Sequence, residues 1–127
     1  MDLNQVTFPS TDLSRSISFY QALGFNLIVH THSGYARFEC PAGNATFSLH
    51  QVEEAPEGEG IVVYFECGNL DQKVIDLQAQ GIKFQHPPAD QSWLWREARL
   101  LDPDNNLLIL YHAGKNRKNP PWKIQGT

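Results

Sequence analysis

A motif that occurs twice at a fixed distance most constrains this chain. Ala36-Arg37-Phe38, Pro41 and Asn44 reappear as Ala98-Arg99-Leu100, Pro103 and Asn106, each pair 62 positions apart. In the second copy Asp102-Pro103-Asp104-Asn105 supplies the residues of a tight reversal. The run Leu107–His112 after it has the length of a strand rather than a helix. A hairpin that occurs twice implies a chain built twice.

The rest of the order agrees. Residues 3–8 alternate as a short strand with Val6 and Phe8 on one face, and Pro9-Ser10-Thr11-Asp12 ends it with several candidate helix N-caps. Leu13, Ile17, Tyr20 and Leu23 form a helical stripe, and Gly24 is placed to close that helix. Strands over Phe25–His32, Tyr35–Cys40 and Ala45–Val52 follow, separated by turn residues. Then the order restarts, with a strand over Ile61–Cys67, a helix over Leu70–Gln80 ended by Gly81, and strands over Ile82–His86, Trp95–Leu101 and Asn106–His112. From Leu13 to Gly24 and from Leu70 to Gly81 the separation is eleven, and Val6 and Val63 each precede the helix's first Leu by seven.

These spacings predict an α+β fold of two βαβββ modules within a single domain spanning 1–127. Module 1 covers about 1–52, a linker 53–60, module 2 about 61–113 and a C-terminal tail 114–127. The repeat is too long for a solenoid.

Composition narrows the classes of function. Hydrophobic content of 41% and charged content of 19% suit a globular chain, and a net charge of −4 argues against a nucleic-acid partner. Lys115, Arg117 and Lys118, the only basic cluster, read as a solvated tail. No apolar run approaches a membrane span, the first residues lack signal-peptide features, and Cys40 and Cys67 read as buried thiols. A cytoplasmic address and no membrane partner are the expectations. Pro120-Pro121 and Trp122 predict that the tail docks on its own sheet or on a partner subunit.

Alternation assigns each strand a face packed on its helix and a face turned away. The second set is Gln5 and Thr7; Tyr35, Arg37 and Glu39; Thr46, Ser48 and His50; Val62, Tyr64 and Glu66; Trp95, Glu97 and Arg99; and Leu107, Ile109 and Tyr111. Such a face belongs either to bulk water or to a ligand cup of aromatic walls and a few polar groups, enclosed if the two sheets curl. The pocket candidates are Gln5, Thr7, Arg37, Ser48, His50, Tyr64, Glu66, Trp95, Arg99 and Tyr111. Arg37 and Arg99, at matching module positions, are placed either to hold an anionic ligand jointly or to pair each with a neighbouring Glu. His50 is either a general base or an ordinary strand-end histidine. His30 and His32 alternate on one strand, facing solvent.

The motifs Asp12-Leu13, Ser16-Ile17, Phe19-Tyr20, Leu23-Gly24-Phe25 and Asp102–Asn106, within the paired order, resemble the vicinal oxygen chelate superfamily of glyoxalases, bleomycin-resistance proteins and extradiol dioxygenases. The resemblance implies a glyoxalase-like paired-module fold with a curled mixed sheet and a ligand cup. It implies homodimers and, in the enzymes, a divalent metal held by one residue on each of four strands. Those four positions fall on Gln5, Ser48, Val62 and Ile109. Val and Ile have no lone pair to donate, and slipping the register by one residue restores no ligand, so the usual metal set is absent. No cofactor is assigned. Gln5, His50 and Glu66 remain as the candidates for a displaced divalent-metal site. Three functions follow: a small-molecule-binding or sequestering protein without the usual metal; a glyoxalase-like lyase, isomerase or dioxygenase with a displaced metal; or a regulatory module without a ligand. A bound divalent ion separates the first two.

Overall fold

In a computed structural model that describes residues 1–58 and 60–124, the chain forms two four-stranded mixed sheets. The first module runs β1 (Gln5–Ser10), α1 (Leu13–Ala22), β2 (Asn26–Thr31), β3 (Tyr35–Glu39) and β4 (Thr46–Gln51). The second runs β5 (Val63–Glu66), α2 (Leu70–Ala79), β6 (Ala89–Asp90), β7 (Arg96–Leu101) and β8 (Leu107–His112). Strand order is β1-β4-β3-β2 in one sheet and β5-β8-β7-β6 in the other. In each, the strand before the helix pairs in parallel with the last strand, and the remaining pairs are antiparallel. The duplicated βαβββ order is therefore present, as two modules rather than a closed barrel.

Both helices are closed in the same way. Asp12 and Asn69 cap the N-termini by accepting from the Arg15 and Gln72 backbone N–H groups. At the other end Gly24 and Gly81 adopt φ of 102° and 90°, where a side chain is strained. Phe25 N–H then reaches back to the Tyr20 carbonyl and Ile82 N–H to the Leu77 carbonyl, which closes the last turn of each helix.

The described residues divide into two compact units, one of residues from 1–61 with 102–106, the other of residues from 62–101 with 107 onward. In the first, Phe8, Ala36, Phe38, Phe47 and Leu49 pack against Leu13, Ile17 and Tyr20 of α1, all buried. Tyr20 is the centre: its ring lies 4.7 to 6.0 Å from those of Phe19, Phe25, Phe38 and Phe47. Its hydroxyl donates to Asp102 Oδ2 at 2.7 Å. Burial first, then the Asp102 charge, raises the Tyr20 phenol far above its ordinary range, so it stays a donor. Asp102 also accepts from Asn106 Nδ2 and from the Asp104 and Asn106 N–H groups, while Asp104 accepts from Thr11 and Ser16 at the start of α1. The second unit buries Leu70, Val74 and Leu77 of α2 with Ala98, Leu100, Leu108 and Leu110.

Four expectations need correction. Ile82–His86 is not a strand; it gives one ladder bond, Gln85 N–H to the Arg99 carbonyl, and the sixth strand is Ala89–Asp90. Pro87 and Pro88 have no N–H to donate, so pairing with β7 resumes only after them. Strand β1 continues through Pro9 to Ser10, because an edge strand tolerates a proline. Cys40 and Cys67 are half-buried free thiols rather than core residues. Trp122 is 57% exposed, so of the two surfaces expected for the tail its own sheet does not take it up, which leaves a partner subunit. Among the described residues no helix is long and apolar enough to cross a membrane.

Candidate functional site

Register aligns the two sheets rung by rung. In the first, Thr7, Ser48 and Arg37 lie side by side on β1, β4 and β3; in the second, Tyr64, Ile109 and Arg99 occupy the corresponding rung. The next rung holds Tyr35 and His50 in one sheet, and Glu97, Tyr111 and Glu66 in the other. All these residues lie on the faces turned away from the helices, since the intervening residues supply the helix-packed cores; on the second sheet Ile109, Tyr111 and Ala113, with Trp95 packed against them, form a separate buried cluster.

On the first sheet the candidates form a polar patch. Thr7 Oγ1 and Ser48 Oγ are 2.5 Å apart, and Thr46 Oγ1 donates to Gln5 Oε1 at 2.7 Å. Arg37 Nε donates to the Tyr35 hydroxyl at 2.9 Å, with its guanidinium 5.3 Å from that ring's centre. Arg37 thus lies against Tyr35, and no ion pair with Glu39 is formed among the described residues. Partial burial pushes the Tyr35 phenol up, but hydrogen bonds from Ser48, Arg37 and Gln5 together with the arginine's charge outweigh it, and the group ends below its ordinary range. His50 stands exposed at the end of β4, opposite Tyr35. A cavity of about 390 Å³ also opens in this unit, between β1, linker residues and the turn at 104–106. Thr7 is the one candidate that lines it, and its Asp104 carboxylate is already held by Thr11 and Ser16.

On the second sheet the candidates form an aromatic patch. Trp95 and Tyr111 stack with ring centres 4.6 Å apart and planes 21° from parallel, and Tyr64 stands edge-on to both at 5.8 and 5.6 Å. Tyr111 is buried, whereas Tyr64 is 45% exposed. The start of the tail straps this patch: Trp95 Nε1 donates to the Asn116 carbonyl at 3.2 Å, and Glu66 Oε2 accepts from the Ala113 and Gly114 N–H groups at 2.8 and 2.9 Å. Burial raises the Glu66 carboxyl, but those two amides, then His112 and Arg117, outweigh it and hold it below the usual carboxylate range. Arg99 sits 3.7 Å from Glu97 Oε1, so here an arginine does face a neighbouring Glu.

Strand alternation placed Tyr35 and Glu97 on these faces without marking either as a site residue. Glu97 has no exposed surface; its Oε2 accepts from Trp93 Nε1 at 2.9 Å, and its Oε1 has no hydrogen-bond partner. Its face position two residues before Arg99 was the available sequence signal, and its burial is visible only in the structure.

The comparisons with known proteins bear on this geometry. A family model described as the Glyoxalase/Bleomycin resistance protein/Dioxygenase superfamily matches residues 2–110. The chain belongs to that superfamily. A bleomycin resistance protein of Geobacillus stearothermophilus is 30% identical over 129 aligned positions, covering 85% of this chain and 94% of the relative. Among solved structures, a glyoxalase/bleomycin resistance protein/dioxygenase from Nocardioides matches with a TM-score of 0.76 at 24% identity, covering 100% of this chain and 89% of that one. A bleomycin-binding protein complexed with bleomycin matches at a TM-score of 0.72 and 21% identity, covering 88% of this chain and 98% of that one.

The superfamily resemblance assigns a metal to Gln5, Ser48, Val62 and Ile109, and the residues at those positions do not fit one. Ser48 is fully buried against Thr7, Ile109 is a buried hydrocarbon, Val62 is a hydrocarbon preceding β5, and the Gln5 amide oxygen is bonded to Thr46. For the displaced set, Glu66 Oε2 already serves two backbone amides, and His50 stands at an exposed strand end. Among the described residues no three His, Cys, Asp or Glu are grouped to hold an ion.

Proposed function

We propose that this protein binds a small organic molecule bearing a planar apolar group, against the Tyr64–Trp95–Tyr111 face, without a resident metal. The observation that carries the reading is the aromatic patch itself. Three rings lie within 6 Å of one another on a face turned away from the helix, Tyr64 reaches solvent, and the tail start holds Trp95 in place. Such a surface binds planar groups by stacking and burial. The donor set at the four metal positions supports binding or sequestration over metal-assisted lyase or dioxygenase chemistry. Small-molecule binding is also the level at which the bleomycin-binding relatives bear on this chain, so metal-free bleomycin belongs among the first ligands tested.

A cytoplasmic address and a homodimer are part of the same proposal. The dimer is supported by Ile61 and Val62, exposed just before β5, an edge strand. Light scattering tests it.

The binding reading is tested by fluorescence titration of chelator-treated protein with metal-free bleomycin and with 2-naphthamide. Saturable binding without added metal, lost in Trp95→Leu, is the expected result. Binding that appears only on adding a divalent ion, binding indifferent to Trp95→Leu, or no saturable binding of either compound would overturn it.

A further inference from the structure

We infer that Glu97 fixes the ligand class of the aromatic face: the bound molecule presents an N–H donor at the edge of its planar group, and Glu97 Oε1 accepts it. The inference rests on the binding proposal above and adds to it a chemical requirement.

Glu97 is a carboxylate without exposed surface, on a strand face whose neighbouring rung position is Tyr111, the ring stacked on Trp95. Burying a carboxylate is costly unless its oxygens are hydrogen-bonded, and native chains leave few such oxygens bare. One oxygen here is satisfied by the Trp93 indole N–H at 2.9 Å. The other is not. Arg99 lies 3.7 Å from it, near enough to balance charge and too far to donate a hydrogen bond, and the arginine side chain is 39% exposed to water. With its charge already offset by Arg99, Oε1 lacks a donor and not a counter-ion. That favours an N–H group on the ligand over a bare cation.

The approach is set by Trp93. Trp93 is 40% exposed while its N–H meets Glu97 Oε2, so this indole reaches from solvent to the carboxylate. The ring is carried on a short turn, in which Leu94 N–H bonds the Gln91 carbonyl and Leu94 itself holds a φ of 66°, an unfavourable setting for a leucine. Ligand entry to Oε1 under this inference displaces that turn and Trp93 with it, while Trp95 is held separately by its bond to the Asn116 carbonyl.

A matched pair of probes tests the requirement. 2-Naphthamide and 2-acetonaphthone share shape and carbonyl and differ in NH₂ against CH₃. A site with an unfilled buried acceptor discriminates against the analogue lacking the donor, so 2-naphthamide binds about tenfold or more tightly than 2-acetonaphthone. In Glu97→Gln the preference falls below about threefold, because an amide offers a donor as well as an acceptor. Binding also shifts the Trp93 indole N–H resonance in the wild type. Equal affinity of the two probes for the wild type, or an undiminished preference in a folded Glu97→Gln, overturns the role of Glu97 and leaves the aromatic face standing. Failure of both probes to bind the wild type overturns the inference, and removes the aromatic face as well when metal-free bleomycin also fails to bind. The wild-type comparison decides even if the variant does not fold.

Discussion

Replacing Tyr20 by Phe deletes one oxygen from the most connected polar site of the first unit and leaves the aromatic packing intact. The hydroxyl donates to Asp102 at 2.7 Å in a setting without exposed surface on Tyr20. A hydrogen bond to a charged acceptor is worth about 1.5–3 kcal/mol. The lower half of that range applies, because Asp102 keeps three donors in the variant: Asn106 Nδ2 at 2.8 Å and the Asp104 and Asn106 N–H groups at 2.9 Å. The expected loss is therefore about 1.5–2 kcal/mol. Asp102→Ala removes the acceptor shared by all four donors, and is expected to cost about 3 kcal/mol or more, with little further loss on adding Tyr20→Phe. Urea unfolding followed by circular dichroism measures both. With a slope of about 1–3 kcal/mol per molar, Tyr20→Phe moves the midpoint down by roughly 0.5–2 M. A loss below about 0.5 kcal/mol for Tyr20→Phe, or strict additivity of the two changes, would show that the turn at 102–106 is not held through this bond.

Two further outcomes are expected. Gly24→Ala and Gly81→Ala each place a Cβ at positive φ and should lower stability by about 1 kcal/mol, whereas Gly68→Ala, where an added Cβ meets nothing within 4 Å, should not. Asp104 and Glu66 are held below their ordinary range in the folded chain, so each adds stability above the unfolded carboxyl values near pH 4; it is lost as pH falls through the folded ones. Asp104→Asn and Glu66→Gln should flatten the decline in unfolding free energy below pH 4, and an unchanged slope in both would refute the assignment.

Much of the architecture was legible because short-range rules fix it. The eleven-residue distance from Leu13 to Gly24 and from Leu70 to Gly81 is a helix plus its closing glycine, and both glycines take the left-handed setting. Alternation placed Arg37 and Arg99 at matching module positions on the outward faces, and the register sets them beside Ser48 and Ile109 on equivalent rungs. What escaped depends on contacts that no local pattern encodes. Pro87-Pro88 displaced the sixth strand to a point that composition alone did not reveal. Tyr20 and Asp102 are 82 residues apart, so the bond that secures the turn had no sequence signature. Glu97 looked like one more charge on a strand, and only its full burial and its half-filled hydrogen bonding distinguish it. The arginines divide for the same reason: Arg37 lies over a tyrosine and Arg99 beside a carboxylate, though their sequence positions match.

The chain contains three tryptophans, and their indole N–H groups report on three distinct places. Trp95 lies in the aromatic stack, Trp93 over Glu97, and Trp122 is exposed on the tail. A ¹⁵N-resolved titration of chelator-treated protein with 2-naphthamide follows all three at once. Binding at the proposed face shifts Trp95 and Trp93 to saturation and leaves Trp122 unmoved. Shifts confined to Trp122, or no saturable shift until a divalent metal is added, would contradict it.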